Sequence, residues 1–301
     1  MASPAERLRV REPIILIGAP RSGTSLMADL IGAHPDVAVA REPRLVWRFG
    51  NDRRSDELRP AQATPQIVDH IHANLARVLT GARAERLVEK TPANAVRPAF
   101  VDAVFPDARF VHITRNGWGA VPSMRSFWER RGAGLDAKQI RKLSRRLREA
   151  HPSQVRFYLS ELVRRTPLSA RRTSLYGPRL AGLQQVADEL GHLEAAGLQW
   201  RTCVDQTSAF GRALPSHRYL QLRLESLDPE SIKSVVEFCG LRPSSEVLDR
   251  FDDLYDADVA RRQAPLNPDE QATVSPYVAA GNAWLGYPEA PATAAAEMAE
   301  G

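Results

Sequence analysis

The sequence predicts a single α/β domain of three layers, a central parallel sheet with helices on both faces. Three observations carry this. Short apolar, β-branched runs recur along the chain and read as strands buried on both faces. Helical stretches alternate with them, which is the rhythm of a parallel sheet. A glycine-punctuated turn joins the first strand to the first helix, the opening of a P-loop-like domain.

The first strand is Ile14-Ile15-Leu16-Ile17, after a polar stretch over residues 1–12 that is expected to be a loose arm. It stops at Gly18, and a helix from Thr24 to Ala33 follows the turn. His34-Pro35-Asp36 ends that helix, because proline disfavours helix at the residue before it. Thr64-Pro65 opens the next helix, threonine as cap and proline in the first position, with Ile67, Ile71 and Leu75 at helical spacing. Residues 86–90 and 109–114 are the second and third strands, and the stretch 117–130 is the helix after the third. Residues 219–224 make a fourth strand, followed by helices near 229–239 and 244–254.

Two regions break the rhythm. Residues 125–200 are expected to form a basic helical insertion or lid, since 125–179 alone hold fifteen Arg and Lys against four acidic residues. Residues 289–301, rich in Ala, Glu and Pro, are expected to fray.

Of the 301 residues, 43% are hydrophobic, ordinary for a soluble chain with a full core. The net charge of +5 favours an anionic ligand without choosing among nucleotide, nucleic acid and membrane. Cys203 and Cys239 lack metal or redox spacing and are expected to be reduced thiols in a cytoplasmic protein. The first dozen residues contain no apolar core of a signal peptide, and no apolar run nears the roughly 18 residues a membrane span needs.

The strongest motif is Gly18-Ala19-Pro20-Arg21-Ser22-Gly23-Thr24-Ser25, with its glycines spaced as in a Walker A loop. Such a loop aims backbone N–H groups at one point, and the helix start adds partial positive charge, so a phosphate fits there. The position after Gly23, lysine in a Walker A loop, is Thr24. The strand 109–114 ends in Thr114-Arg115 rather than the Asp that helps hold Mg²⁺. The loop's own cation is Arg21.

Here the sequence resembles the sulfotransferases that use 3′-phosphoadenosine 5′-phosphosulfate (PAPS), whose 5′-phosphosulfate loop reads Pro-Lys/Arg-Ser-Gly-Thr-Thr/Ser. Residues 20–25 match it. The family's second signature, an Arg ending a strand and a Ser eight residues on, matches Arg115 and Ser123. The resemblance implies that Arg21, Ser22, Gly23, Thr24 and Ser25 hold the 5′-phosphosulfate and that Arg115 and Ser123 hold the 3′-phosphate. A planar guanidinium suits the second task, because its fork gives phosphate two hydrogen bonds. Glu89-Lys90-Thr91-Pro92-Ala93-Asn94, Arg223-Leu224-Glu225-Ser226-Leu227 and Trp284-Leu285-Gly286-Tyr287 are also similar to family segments. The match is nearer the carbohydrate and tyrosylprotein branch than the cytosolic aryl branch, whose histidine has no counterpart in Lys90-Thr91-Pro92.

Sulfuryl transfer is in-line displacement at sulfur, so the site must position both partners, stabilise spreading charge and remove the acceptor's proton. Arg21 and Lys90 are the candidates for the charge, Lys90 because it ends a core strand where α/β sheets place ligands. Glu42 stands twenty-one residues after Arg21, the offset of the catalytic glutamate in tyrosylprotein sulfotransferases, and is the candidate general base. Glu89 is the reserve base, or else the partner of Lys90. His70 and His72 are read as surface or structural residues.

The expected donor is PAPS, the product adenosine 3′,5′-bisphosphate, with no metal required. The expected acceptor is a small molecule, carbohydrate or glycolipid, by O- or N-sulfation, with no nucleic acid partner and a homodimer left open. Two alternatives stand beside this reading: a P-loop nucleotide-dependent kinase, which predicts Mg²⁺ dependence, and a non-catalytic anion- or nucleic-acid-binding protein, which predicts aromatics among the basic residues.

Overall fold

A computed structural model of the chain describes residues 9–131, 151–154 and 175–287. Its sheet, among the described residues, is parallel throughout and has the order β2-β3-β1-β4-β5. The strands are β1 (Ile14–Ile17), β2 (Val37–Arg41), β3 (Arg86–Lys90), β4 (Arg109–Thr114) and β5 (Tyr219–Arg223). Ile14 faces Val88 of β3 on one side and Arg109 of β4 on the other.

Alternation along β1 builds two cores. Ile14 and Leu16 pack with Met27 and Ile31 of α1 (Thr24–Ile31), Val235 of α8 (Pro229–Phe238) and Val247 of α9 (Ser245–Leu254). Ile15 and Ile17 face the other way, onto Trp47 of α2 (Arg44–Arg48), Ile71 of α3 (Pro65–Ala82) and Phe100 of α4 (Pro98–Val104). Helices therefore cover both faces, as the strand pattern requires. A third cluster joins Met124 and Trp128 of α5 (Gly117–Arg131), Trp200 and Cys203 of α7 (His192–Ala213) and Val278 of α11 (Pro268–Leu285). Between these lie α6 (Leu183–Glu189) and α10 (Ala257–Arg261). Among the described residues no helix is long and apolar enough to cross a membrane.

Several expectations change. The strand β2 was not anticipated. Its Val-Ala-Val-Ala-Arg sequence buries only the two alanines on an edge, so it lacks the bulky run that marks a central strand. Thr64 stands at the N-cap of α3, but its side chain makes no capping hydrogen bond; Pro65 alone fills the expected role. Of the expected arm, residues 1–8 lie outside the described residues and 9–12 are docked. Val10 is buried with its N–H on His72 Nδ1 at 3.2 Å, and Glu12 N–H donates to Asp107 at 2.8 Å. Within the expected insertion, 132–150 and 155–174 lie outside the described residues, and the part in α7 is core, with Trp200 wholly buried. The expected tail also lies outside them.

The chain leaves β1 toward β2 on one side and leaves β4 toward β5 on the other. The crevice beyond their carboxyl ends is the switch point where open α/β sheets bind ligands.

Candidate active site

Loop 18–23 crosses that switch point, and its glycines make close approaches that a side chain would block. A Cβ on Gly18 would lie 2.3 Å from the Ile113 carbonyl oxygen, and one on Gly23 would lie 2.6 Å from Leu224 Cδ1. Gly23 also has φ of 91°, the left-handed region glycine occupies without strain. Arg21 is left-handed too, at φ 70°. Ser22 is buried and its N–H bonds the Ala19 carbonyl at 3.2 Å, which tightens the turn. The first turn of α1, opening at Thr24 and Ser25, has no preceding carbonyls for its N–H groups and so favours an anion.

Glu42 arrives from β2. Its N–H reaches the Lys90 carbonyl at 2.8 Å, one step past the strand, and its φ of 53° turns the chain toward α2. Its carboxylate accepts from Lys90 Nζ on Oε1 and from Arg44 on Oε2, both at 2.8 Å. The Tyr176 hydroxyl reaches both oxygens, at 3.2 and 2.9 Å. Burial alone would raise this carboxyl. The charges of Arg44 and Lys90, with the hydrogen bonds from Lys90 and Tyr176, outweigh burial and hold it at about 2.

Adjacent residues on a strand point to opposite faces, so Lys90 meets Glu42 rather than Glu89. Glu89 is wholly buried and accepts from Trp47 Nε1 at 2.9 Å, Thr91 Oγ1 at 2.5 Å and Asn94 Nδ2 at 2.8 Å. Burial pushes its carboxyl up to about 7 against those bonds. It opens on no cavity of the site. Its three hydrogen bonds brace β3 against α2 and the turn after β3.

Arg21, Thr24, Ser25, Glu42 and Lys90 line one cavity of about 230 Å³, walled by Phe127, Trp128 and Tyr176. Arg115 lines a neighbouring cavity of about 400 Å³ with Asn116, Arg223, Glu225 and Tyr287. Ser22, Gly23 and Ser123 line neither. Ser123 instead accepts from Arg21 Nε at 3.2 Å, linking α5 to the loop between the two cavities.

Arg115 is buried, with Nη2 on the Arg262 carbonyl at 2.8 Å and Nη1 on the Arg21 carbonyl at 3.3 Å. Its Nε has no hydrogen-bond partner among the described residues. Burial lowers this guanidinium from its ordinary value, while Glu225 opposes the fall. A buried donor on a cation without an acceptor is costly, and Arg115 lines a cavity with room for an anion.

The later family-like segments brace this end. Glu225 accepts from the Asn116 N–H and from the Tyr287 hydroxyl, both at 2.8 Å, and Arg223 donates to the Gly286 carbonyl at 2.8 Å. Asn282 caps the start of α5 through the Gly117 N–H at 2.9 Å. His72 is satisfied by Val10 and the Val104 carbonyl, a structural residue as expected. Arg130 is exposed on the last turn of α5, and the side chain of Arg131 lies outside the described residues.

Tyr176 and Arg44 were missed. Arg44 is a local partner of Glu42, two residues away. Nothing in the sequence says that Tyr176, 134 residues away, closes over Glu42.

The sequence model of the sulfotransferase family matches residues 13–166, half of the chain. The chain belongs to the sulfotransferase family. Every candidate residue of this sulfotransferase lies in the matched stretch, whereas Tyr176, Glu225 and Tyr287 lie beyond it. Among similar proteins, a protein-tyrosine sulfotransferase of Drosophila melanogaster is 32% identical over 124 residues, 37% of this chain and 25% of that protein. The nodulation protein NoeE of Sinorhizobium fredii is 30% identical over 129 residues, 38% of this chain and 31% of its own. The matches thus span about a quarter to a third of the length of these curated relatives. The sulfotransferase domain from the curacin biosynthetic pathway shares the fold, at a TM-score of 0.51 and 16% identity, over 93% of this chain and 99% of that domain.

Proposed function

We propose that this sulfotransferase moves a sulfuryl group from PAPS to an acceptor hydroxyl, with Glu42 as general base. One observation carries the reading: Arg21, Glu42 and Lys90 come from three separate elements and converge on one cavity at the switch point of the sheet.

The donor supplies a sulfuryl group already activated by its phosphate leaving group. The loop and the start of α1 hold the 5′-phosphosulfate, and Arg115 takes the 3′-phosphate in its fork. Arg21 stabilises charge on the leaving oxygen, and Lys90 serves the sulfuryl oxygens. Glu42 is ionised at neutral pH and so is free of a proton, but the cations around it keep its basicity low. Lys90 resolves that conflict. As its ammonium turns toward sulfuryl oxygens, Glu42 loses one of its cations and becomes a stronger base when the acceptor proton must leave.

The acceptor class proposed is a small molecule, carbohydrate or glycolipid, and the whole chain acts as one domain without a metal. The test is a calorimetric titration with adenosine 3′,5′-bisphosphate and with ATP, each with and without Mg²⁺, followed by an acceptor screen with labelled PAPS. Magnesium-independent binding of the bisphosphate in preference to ATP supports the reading. Preference for ATP, dependent on Mg²⁺, would return the kinase alternative.

A further inference from the structure

We propose that Tyr176 is a positioning residue for the general base, acting through Glu42 rather than on substrate; the proposal rests on the sulfotransferase reading above. Its phenol donates to both carboxylate oxygens of Glu42, at 3.2 and 2.9 Å. With Lys90 on Oε1 and Arg44 on Oε2, three donors from three elements fix the carboxylate plane. A base aligned this way loses less rate to misorientation than one free to rotate.

The phenol itself is held in place. The Tyr176 ring lies beneath the Arg44 guanidinium at 4.6 Å and meets Phe127 edge-on at 4.9 Å. Its carbonyl accepts from Trp128 Nε1 at 2.9 Å, and the next carbonyl but one, that of Pro178, accepts from Gln199 at 2.9 Å. Arg179 and Asp56 exchange backbone hydrogen bonds, Arg179 N–H to the carboxylate at 2.8 Å and Asp56 N–H to the Arg179 carbonyl at 2.7 Å. These anchors make the segment part of the cavity wall. Tyr176 lies beyond the stretch the family model matches, so this arm of the site is supplied by a part of the chain the shared motifs do not cover.

The experiment is a double-mutant cycle in single-turnover rates at saturating PAPS, using wild type, Tyr176→Phe, Glu42→Gln and the pair. Phe keeps the ring and its packing while removing the hydroxyl. Tyr176→Phe is expected to slow transfer about tenfold, the low end for a hydrogen bond to a charged group. Bisphosphate affinity by calorimetry and the melting temperature should stay at wild-type values. In the Glu42→Gln background the same change should cost less than about twofold, because a residue that works through the base has nothing left to orient. An equal cost in both backgrounds, or no cost in either, overturns the proposal. So does a mass gain of one SO₃ on Tyr176 after turnover, which would make the phenol an acceptor. A wild-type rate in Glu42→Gln alone would instead sink the general-base reading, and the positioning role with it.

Discussion

The two cavities beside loop 18–23 handle their cations in opposite ways. On the Glu42 side, Lys90 and Arg44 are each bound to an oxygen of one carboxylate at 2.8 Å, so a single acid holds both cations. On the Arg115 side, the guanidinium makes do with backbone carbonyls, and its buried Nε has no partner among the described residues. The first cluster fixes a carboxylate between two cations, whereas the second sets a buried cation beside a cavity with room for an anion. In the proposed reading the difference separates chemistry from binding, and variants at Glu42, Arg115 and Ser123 test that separation, with Asp56 as a probe of the fold that carries both.

Glu42→Gln should cut single-turnover transfer to an alkyl hydroxyl by around 10²–10⁴, the usual range for general-base catalysis, while bisphosphate affinity stays near wild type. Glu89→Gln is the contrast. It should leave the rate close to wild type and lower the melting temperature, because the Gln amide nitrogen, itself a donor, replaces a carboxylate oxygen that accepts from buried donors. If the rate collapses in Glu89→Gln and not in Glu42→Gln, the two roles are reversed.

Arg115→Ala should weaken bisphosphate binding by about 1.5–3 kcal/mol, the scale for a hydrogen bond to a charged group, with little change in the rate at saturating donor. Calorimetry reads the first and single-turnover kinetics the second. Undiminished binding would remove the 3′-phosphate from this cavity.

Acid stability follows from Asp56. Burial would raise this carboxyl, but the charges of Arg48, Arg97 and Arg179 hold it at about 2. Its folded pKa lies below the unfolded one, so its contribution is full above the ordinary aspartate value and is lost as pH falls toward about 2. Thermal melts from neutral pH downward should show that loss in wild type, and Asp56→Asn should start less stable and lose less on acidification. Parallel curves for the two proteins would rule the assignment out.

Ser123→Ala should have the smallest effect, below that of Arg115→Ala, since the Ser123 hydroxyl meets Arg21 rather than the Arg115 cavity. A loss of bisphosphate affinity as large as that of Arg115→Ala would show that the bound donor draws Ser123 away from Arg21.

Local pattern made much of this protein legible. Central strands are buried on both faces, and β1 is an unbroken apolar run, while β3 and β4 carry shorter apolar cores at Leu87-Val88 and Phe110-Val111. The glycines of loop 18–23 are visible for a similar reason, because tight packing against Ile113 and Leu224 excludes any side chain. An edge strand buries only one face, and β2 escaped notice with just Ala38 and Ala40 inside.

The sequence by itself determined four of the five strands and the helices α1, α3, α5, α8 and α9, and it offered loop 18–23, Arg115 and Ser123 as candidates. Each depends on spacing within a few residues or on a motif that is contiguous in the chain. Only the tertiary structure decided that Lys90 meets Glu42 and not its neighbour Glu89, that Arg115 binds the Arg21 and Arg262 carbonyls, and that Tyr176 closes over the carboxylate. Those outcomes depend on which side chains the parallel sheet brings to one edge from positions 48 and 134 residues apart. Burial and long-range charge are properties of that edge, and no local run of residues encodes them.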